Sequence, residues 1–329
     1  MTMLNRTKTG ASLQMAGVMC IAAASMLASA MAQSSKAYIA VDSRTKKIIF
    51  GESYDDKLPV ASLTKVVSAC VALDWLEATQ RDKASLIPIS PAAVSATGGN
   101  PLSLQAGDQI SYRDALASAL MASDSVSMWA VAEAIGLEMW QRDGGKASDA
   151  VAFFVAQMNA LSQTRLGMKR SLFVSPCGDE LGRKKGYSTA ADMARIGIYA
   201  LEKPAFNFIV QQPVRNVEFF RAGQSMRFQV FNTNELLGKH DCDGVKTGRT
   251  NRAGDCFLAS ARRKDEITPL EGNAQLRIPY HLVIVTLNSQ NRFGQVANLI
   301  PRAFAEYDRW IKTDRSLPGD EVLAMPPRP

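Results

Sequence analysis

Short apolar runs with strand character stand at both ends of this chain, and helical patterns fill the middle. Lys36 to Asp42 alternates through Tyr38, Ile39 and Val41, and Lys47 to Ser53 repeats the pattern with Ile48, Ile49 and Phe50. Ser43-Arg44-Thr45-Lys46 between them is turn-like, so the pair predicts a β-hairpin. Far along the chain, the stretch around Val245, Cys256 to Ala261, and Tyr280 to Leu287 read as further strands, with a polar insertion, Lys264 to Arg277, between the last two. Strands at both ends with helices between them argue for an α+β fold, in which one antiparallel β-sheet joins the N- and C-terminal strands, flanked by helices and carrying a helical subdomain.

The middle supplies the helices. Pro59 precedes a long pattern, Ala61 to Ala78, whose apolar residues Val66, Val67, Cys70, Leu73 and Leu76 recur at helical spacing. Ser90 to Gly107, with Gly98-Gly99-Asn100-Pro101, reads as loop. Tyr112 to Ile135 is a helical region rich in Ala and Met, Ala147 to Gly167 is another, and Tyr187 to Leu201 is a third, opened by Ser188-Thr189 with Asp192 in a capping arrangement. A helix from Gln295 to Ile311 closes the domain.

The start of the chain reads as an address. Arg6 and Lys8 precede an uncharged stretch of small and apolar residues, Met15 to Met31, and Ala30-Met31-Ala32 before Gln33 fits a small-x-small cleavage site. The run is short and rich in Ala and Ser, which favours a cleaved signal over a membrane anchor. Cys20 follows Met19, a poor residue before a lipidated Cys. The expectation is a signal peptide over residues 1–32, a catalytic domain over 33–313 and a flexible tail over 314–329, in a protein exported to the periplasm or cell wall. Losing Arg6 and Lys8 lowers the formal charge from +7 to +5, a mild basic excess rather than a nucleic-acid footprint. Four cysteines then remain, Cys70, Cys177, Cys242 and Cys256; none has zinc spacing, and the only histidines are His240 and His281, so neither a metal site nor a cofactor is expected. Cys242 and Cys256 flank one segment and are candidates either for a disulfide or for two buried thiols.

Ser62-Leu63-Thr64-Lys65 opens the first long helix. Residues i and i+3 share a helix face, so Ser62 Oγ and Lys65 Nζ can meet, and the partial positive charge at the helix start disfavours an extra ammonium there. Lys65 could then take the Ser62 proton without any histidine. Alone the pattern is weak, since Ser43 to Lys46 repeats it in a turn. Lys246-Thr247-Gly248 follows the apolar Val245, where a strand would present Lys and Thr side chains towards the serine and a glycine would admit a substrate backbone. This tripeptide also recurs, at Lys8. The ordered combination is what distinguishes the chain: a helix-start Ser-x-x-Lys, then a strand Lys-Thr-Gly, is the pattern of penicillin-binding proteins and serine β-lactamases.

From about Ala37 to Ile300 the chain resembles the low-molecular-weight D-alanyl-D-alanine carboxypeptidases. The resemblance is carried by Leu58 to Lys65, by Leu166-Gly167-Met168 with Phe173 to Pro176 and Tyr187 to Met193, and by Asp243 to Thr250 with Ala253-Gly254. It implies that Ser62 is acylated, that Lys65 is the base, and that Lys246 and Thr247 hold a terminal carboxylate. The backbone N–H groups of Ser62 and Arg249 would form the oxyanion hole, with Gly248 and Thr250 completing the substrate-binding strand. The family's second motif, Ser-x-Asn, falls on Ser123-Asp124-Ser125, so Ser123 is a catalytic candidate and Ser125 a substrate-binding one in place of the Asn amide. Cys177 stands where the family carries His or another polar residue and is expected to be a packed thiol.

The function implied is a serine D-Ala-D-Ala carboxypeptidase acting on peptidoglycan stem peptides and blocked covalently by β-lactams, with no nucleic-acid partner and no obligate protein partner. The alternatives are a DD-endopeptidase of the same family, a catalytically impaired wall-binding relative, and a β-lactamase. For the last, sequence spacing nominates no Glu to drive deacylation.

Overall fold

The computed structural model describes residues 35–96, 98–144, 149–179, 185–269, 272, 275–313 and 316–326, so the expected signal over 1–32 lies outside the described residues. It begins with the predicted hairpin, β1 (Ala37–Asp42) and β2 (Ile48–Glu52), whose turn is fixed by Thr45 donating its backbone N–H and its hydroxyl to Asp42 Oδ2. A 3-10 turn over Ala61–Leu63 runs into α1 (Thr64–Ala78). There follow β3 (Leu86–Pro88), α2 (Pro91–Ala96), β4 (Gln109–Ser111), α3 (Tyr112–Met121), α4 (Ser125–Arg142) and α5 (Ala150–Ala160), the last continued by a π turn over Leu161–Arg165. Next come α6 (Ala190–Leu201), α7 (Pro204–Val210), β5 (Val214–Arg221), β6 (Gln224–Phe231), β7 (Cys242–Thr250), β8 (Gly254–Pro269), β9 (Gln275–Ser289) and α8 (Arg292–Ile311).

The two ends meet as expected, in a five-stranded antiparallel sheet of order β2-β1-β9-β8-β7. Side chains alternate across a strand, so the sheet has two apolar faces. Ile39, Val41, Leu258, Val283 and Val285 join the core that holds α1 and α6, and Gly197 of α6 lies so close that a Cβ there would stand 2.8 Å from Leu258. Ala40, Phe257, Ala259, Leu282 and Ile284 face the other way, onto Val296, Leu299, Ile300, Ala303, Phe304 and Tyr307 of α8. That helical stripe predicted α8; the structure starts it three residues earlier, where Asn291 Oδ1 accepts the N–H of Gly294 at 2.9 Å. Each such fully buried Leu, Ile or Phe side chain stabilises the fold by about 1.5–3 kcal/mol. By contrast α1 is buried on almost every side, the position of a central helix.

Several expectations change. The helical region Tyr112 to Ile135 is two helices. The chain turns at Ser123, whose φ is +61°, and restarts at Asp124, whose side chain accepts from Ser127 N as the N-cap of α4. The loop-rich stretch Ser90 to Gly107 also holds the short α2, and a second sheet of order β3-β4-β5-β6 joins the helical lobe. The polar insertion Lys264 to Arg277 is the extension of the β8–β9 hairpin, where cross-strand polar pairs, Arg277 with Asp265 and Tyr280 with Glu266, stand in for apolar alternation. Cys242 and Cys256 do not pair: Cys242 lies opposite Ala261 and Cys256 opposite Gly248, well apart along the ladder, and both are buried thiols. The stretch 314–329, expected to be a flexible tail, is docked over its described part. Val322 bridges to Lys47, Leu323 is buried, and Ala324 O accepts from Arg195 Nε at 2.8 Å.

Candidate active site

Ser62 sits in the middle of the 3-10 turn, one residue ahead of the Leu63 that caps α1, and so not in the regular helix. Ala61 before it adopts φ +48°, a left-handed conformation that costs an L-residue of order 1 kcal/mol or more. Two glycine backbones hold that turn in place. Gly248 of β7 lies against it closely enough that a Cβ would stand 3.0 Å from Ser62 N, 3.1 Å from Val60 O and 3.2 Å from Leu63 N. Gly178, at φ +78°, presses from another side, with room for no Cβ at all: it would stand 1.9 Å from Ala61 O. The glycine of the Lys-Thr-Gly segment therefore seats the strand against the nucleophile turn.

One turn into the helix, Lys65 is fully buried, and its Nζ donates to Ser62 Oγ at 2.9 Å and to Cys177 O at 3.2 Å. The i, i+3 geometry expected from sequence is thus realised across the 3-10/α junction. Lys246 on β7 is also buried, at 1 % exposure, and donates to Thr247 O at 2.9 Å. Burial holds its ammonium well below the ordinary lysine range, and the charges of Lys65 and Arg292 push the same way. Thr247 Oγ1 lies 2.7 Å from Thr233 Oγ1, and Thr233 N donates to Met121 O, which ties β7 to the end of α3. Arg292 donates to Gly248 O at 3.2 Å and to Asp255 Oδ1 at 3.1 Å. The Arg249 side chain is exposed, with Nε 3.6 Å from Asp255, while Thr250 Oγ1 accepts from Ala253 N at the end of the strand. β7 is an edge strand, so a peptide laid along its free side can add to the sheet beside Ser62.

The helical lobe offers Ser123-Asp124-Ser125 at the break between α3 and α4. Ser123 is half-buried and Ser125 buried. Ser125 N donates to Gly99 O at 2.9 Å, and Ser125 O accepts the Cys177 thiol at 3.3 Å. Asp124 is buried completely and accepts Ser127 N, Ser127 Oγ and Ser118 Oγ at 3.1, 2.7 and 2.8 Å. Burial pushes its carboxyl up, opposed by those donors and by Lys65.

The segment Ser175–Asp179 closes the site. Ser68 Oγ donates to Pro176 O at 2.6 Å, and Ser175 Oγ accepts Cys177 N, Gly178 N and Asp179 N at 3.3, 3.0 and 3.2 Å. Burial pushes the Cys177 thiol far up and only Lys65 and a weak hydrogen bond oppose it, so Cys177 is a packed thiol and not a nucleophile. Sequence reasoning missed Thr233, Arg292 and Asp179. The first two carry no motif; Gly178-Asp179 has turn composition but no spacing that points at Ser62. Among the described residues no cluster of His, Cys, Asp and Glu could hold a metal ion.

Chemically, the arrangement is a weak nucleophile beside a buried amine, a second buried amine on an edge strand, and hydroxyls on the facing lobe. A family described as D-alanyl-D-alanine carboxypeptidase matches residues 24–268. The D-alanyl-D-alanine carboxypeptidase DacF of Bacillus subtilis is 26% identical over 281 residues, 85% of this chain and 64% of that protein. The D-alanyl-D-alanine endopeptidase of Pseudomonas aeruginosa is 31% identical over 225 residues, 67% of this chain and again 64% of that protein. The chain therefore spans less than two thirds of the length of these two relatives. Among solved structures, the Streptomyces K15 DD-transpeptidase superposes with a TM-score of 0.64 at 20% identity, covering 85% of this chain and 96% of that one, a likeness of fold.

Proposed function

The chain belongs to the D-alanyl-D-alanine carboxypeptidase family of serine peptidases, and from that premise we propose that it is an exported DD-peptidase acting on peptidoglycan stem peptides through an acyl-Ser62 intermediate. The observation that carries this reading is the 2.9 Å hydrogen bond from Lys65 Nζ to Ser62 Oγ in a site where both lysines are sealed from solvent. In this reading Lys65 takes the Ser62 proton as Oγ attacks the carbonyl of the penultimate D-Ala. The N–H groups of Ser62 and Arg249 receive the oxyanion, and Ser123 relays the proton from Lys65 to the leaving amine, which returns Lys65 to its neutral form. Lys246 and Thr247 hold the terminal carboxylate, Gly248 and Thr250 let the peptide lie along β7, and Ser125 faces its amide.

The depressed Lys246 gives binding a direction in pH. An arriving carboxylate favours the charged lysine, so binding takes up a proton, and affinity for carboxylate-ended peptides falls as pH rises through the free enzyme's Lys246 value.

Labelling the purified mature protein with a fluorescent penicillin tests the reading. An adduct on Ser62, seen by mass, together with release of D-Ala from a pentapeptide, is the result expected of a carboxypeptidase. Cleavage of cross-linked dimers alone would make it an endopeptidase, and no adduct would leave a wall-binding relative. The same peptidase fold accommodates both cleavage reactions, and the relatives matched above carry both names.

A further inference from the structure

An acyl-serine must be hydrolysed, and sequence spacing nominates no carboxylate for that step. The structure brings one to the turn that carries the nucleophile. Ser175 Oγ gathers the N–H groups of Cys177, Gly178 and Asp179 and so curls the segment. Gly178 then presses its backbone onto Ala61 O and to within 2.6 Å, measured from a Cβ position, of Thr64 Oγ1. That contact delivers Asp179 to the turn that carries Ser62. Asp179 Oδ2 is buried and accepts no hydrogen bond. It lines a small pocket of about 30 Å³, room for a water molecule, together with Val60, Ala61, Thr64, Thr250, Lys185 and Arg252. A buried carboxylate oxygen costs free energy when unsatisfied, so one aimed into a pocket calls for a donor from solvent or substrate. Lys65, Lys185 and Arg252 bring positive charge to this neighbourhood, which disfavours a substrate ammonium, and the pocket has the size for a water donor.

We propose that Asp179 is a further catalytic residue, the general base for the water that hydrolyses the acyl-Ser62 ester. The proposal rests on Ser62 being acylated. The water oxygen bonds to the acyl carbon while one of its protons passes to Asp179 Oδ2. The proton on Asp179 passes to Lys65, which hands it to Ser62 Oγ as the tetrahedral intermediate breaks its bond to that oxygen, so that Lys65 ends neutral and Asp179 ionised, as they began. The products are the free acid and the starting serine. Burial pushes the Asp179 carboxyl up, opposed by Lys65, the direction that makes a carboxylate a better base.

The test separates the two chemical steps in Asp179→Asn, in which the side chain keeps its shape. Acylation by fluorescent penicillin should stay within about threefold of wild type, whereas decay of the adduct, followed by mass, should slow by about 100-fold, the effect of losing a general base. Asp179→Glu should recover part of the decay rate. Equal decay in wild type and Asp179→Asn would overturn the proposal, as would a parallel loss of acylation and decay, which would make Asp179 a prop. A wild-type protein that takes no label would overturn the Ser62 reading itself, and the proposal with it.

Discussion

The two walls of the cleft are built by different means. On the sheet side, backbone meets backbone: Gly248 lies on the nucleophile turn, and Lys65 and Lys246 are buried beside it. On the helical-lobe side, one buried carboxylate, Asp124, organises the corner through side-chain hydrogen bonds, and Ser123 and Ser125 flank it in sequence. In a wall fixed by backbone fit, an added atom at Gly248 is admitted only if the nucleophile turn gives by a few tenths of an ångström. A wall fixed by hydrogen bonds of about 1 kcal/mol each can give way by degrees. Substitutions on the first should therefore abolish acylation, while those on the second should grade it.

The largest effect should come from Lys65→Ala. It removes the only donor recorded for Ser62 Oγ among the described residues, and penicillin acylation should fall by ~10³-fold or more, the upper range for a general base. A loss under tenfold would mean that another group activates Ser62. Gly248→Ala comes next. Its Cβ would enter at 3.0 Å from Ser62 N, which is both the turn's backbone and one proposed oxyanion donor. Displacing such a donor costs about 10²–10³-fold in rate. If Gly248→Ala acylates normally, the sheet wall is softer than the backbone contacts imply and the contrast between the walls fails.

Asp124→Ala should act mainly on stability. It leaves Ser127 N, Ser127 Oγ and Ser118 Oγ without their acceptor and removes the α4 cap, a loss of about 1–3 kcal/mol by urea melting, with acylation reduced by about tenfold at most. Asp124 also has a pH signature. Its carboxyl is pushed up by burial, so the folded protein binds that proton more readily than the unfolded chain does. The group's contribution to stability is fully present below the unfolded carboxylate value, near pH ~4, and is lost as pH rises through the higher folded value. Stability of wild type relative to Asp124→Asn should decline across that window. A rise instead would mean that the three hydrogen bonds and Lys65 outweigh burial.

What was legible in the sequence follows the same division. Ser62, Lys65 and Lys246 were visible because short-range periodicity places i and i+3 on one face and a glycine after Lys-Thr marks a close approach. The five-stranded sheet was visible because its strands are apolar on both faces. The second sheet was overlooked: β3 and β4 have three residues each, too short to show a period, whereas β5 and β6 do alternate, Val217 and Phe219 around Glu218 and Met226, Phe228 and Val230 around Arg227 and Gln229, a signal that could have found them. The break at Ser123 was hidden because an Ala- and Met-rich stretch favours helix throughout, and only the buried Asp124 cap overrides it. Asp179 was hidden because it comes to the Ala61–Leu63 turn through the tertiary contact of Gly178 with Ala61, more than a hundred residues away along the chain.

The smallest effect, and the sharpest probe of the helical wall, is Ser125→Asn. Ser125 opens α4, is 5 % exposed, and is held by its backbone, donating to Gly99 O and accepting from Cys177 Sγ. Neither bond uses the Ser125 side chain, so a longer amide can be introduced without breaking them. Gly99 lies alongside, where a Cβ position would stand 3.5 Å from Ser125 Oγ, and Gly98 beside it has open space on its Cβ side. An Asn adds two amide donors, which in the proposed reading are available to an acyl-chain carbonyl. Acylation should therefore be preserved or rise by up to about tenfold, with a stability change under about 1 kcal/mol. A loss of acylation beyond tenfold, in a protein whose urea midpoint is unchanged, would show that Ser123 to Ser125 is not the motif that faces Ser62, and the hydroxyls on this wall would have to be assigned anew.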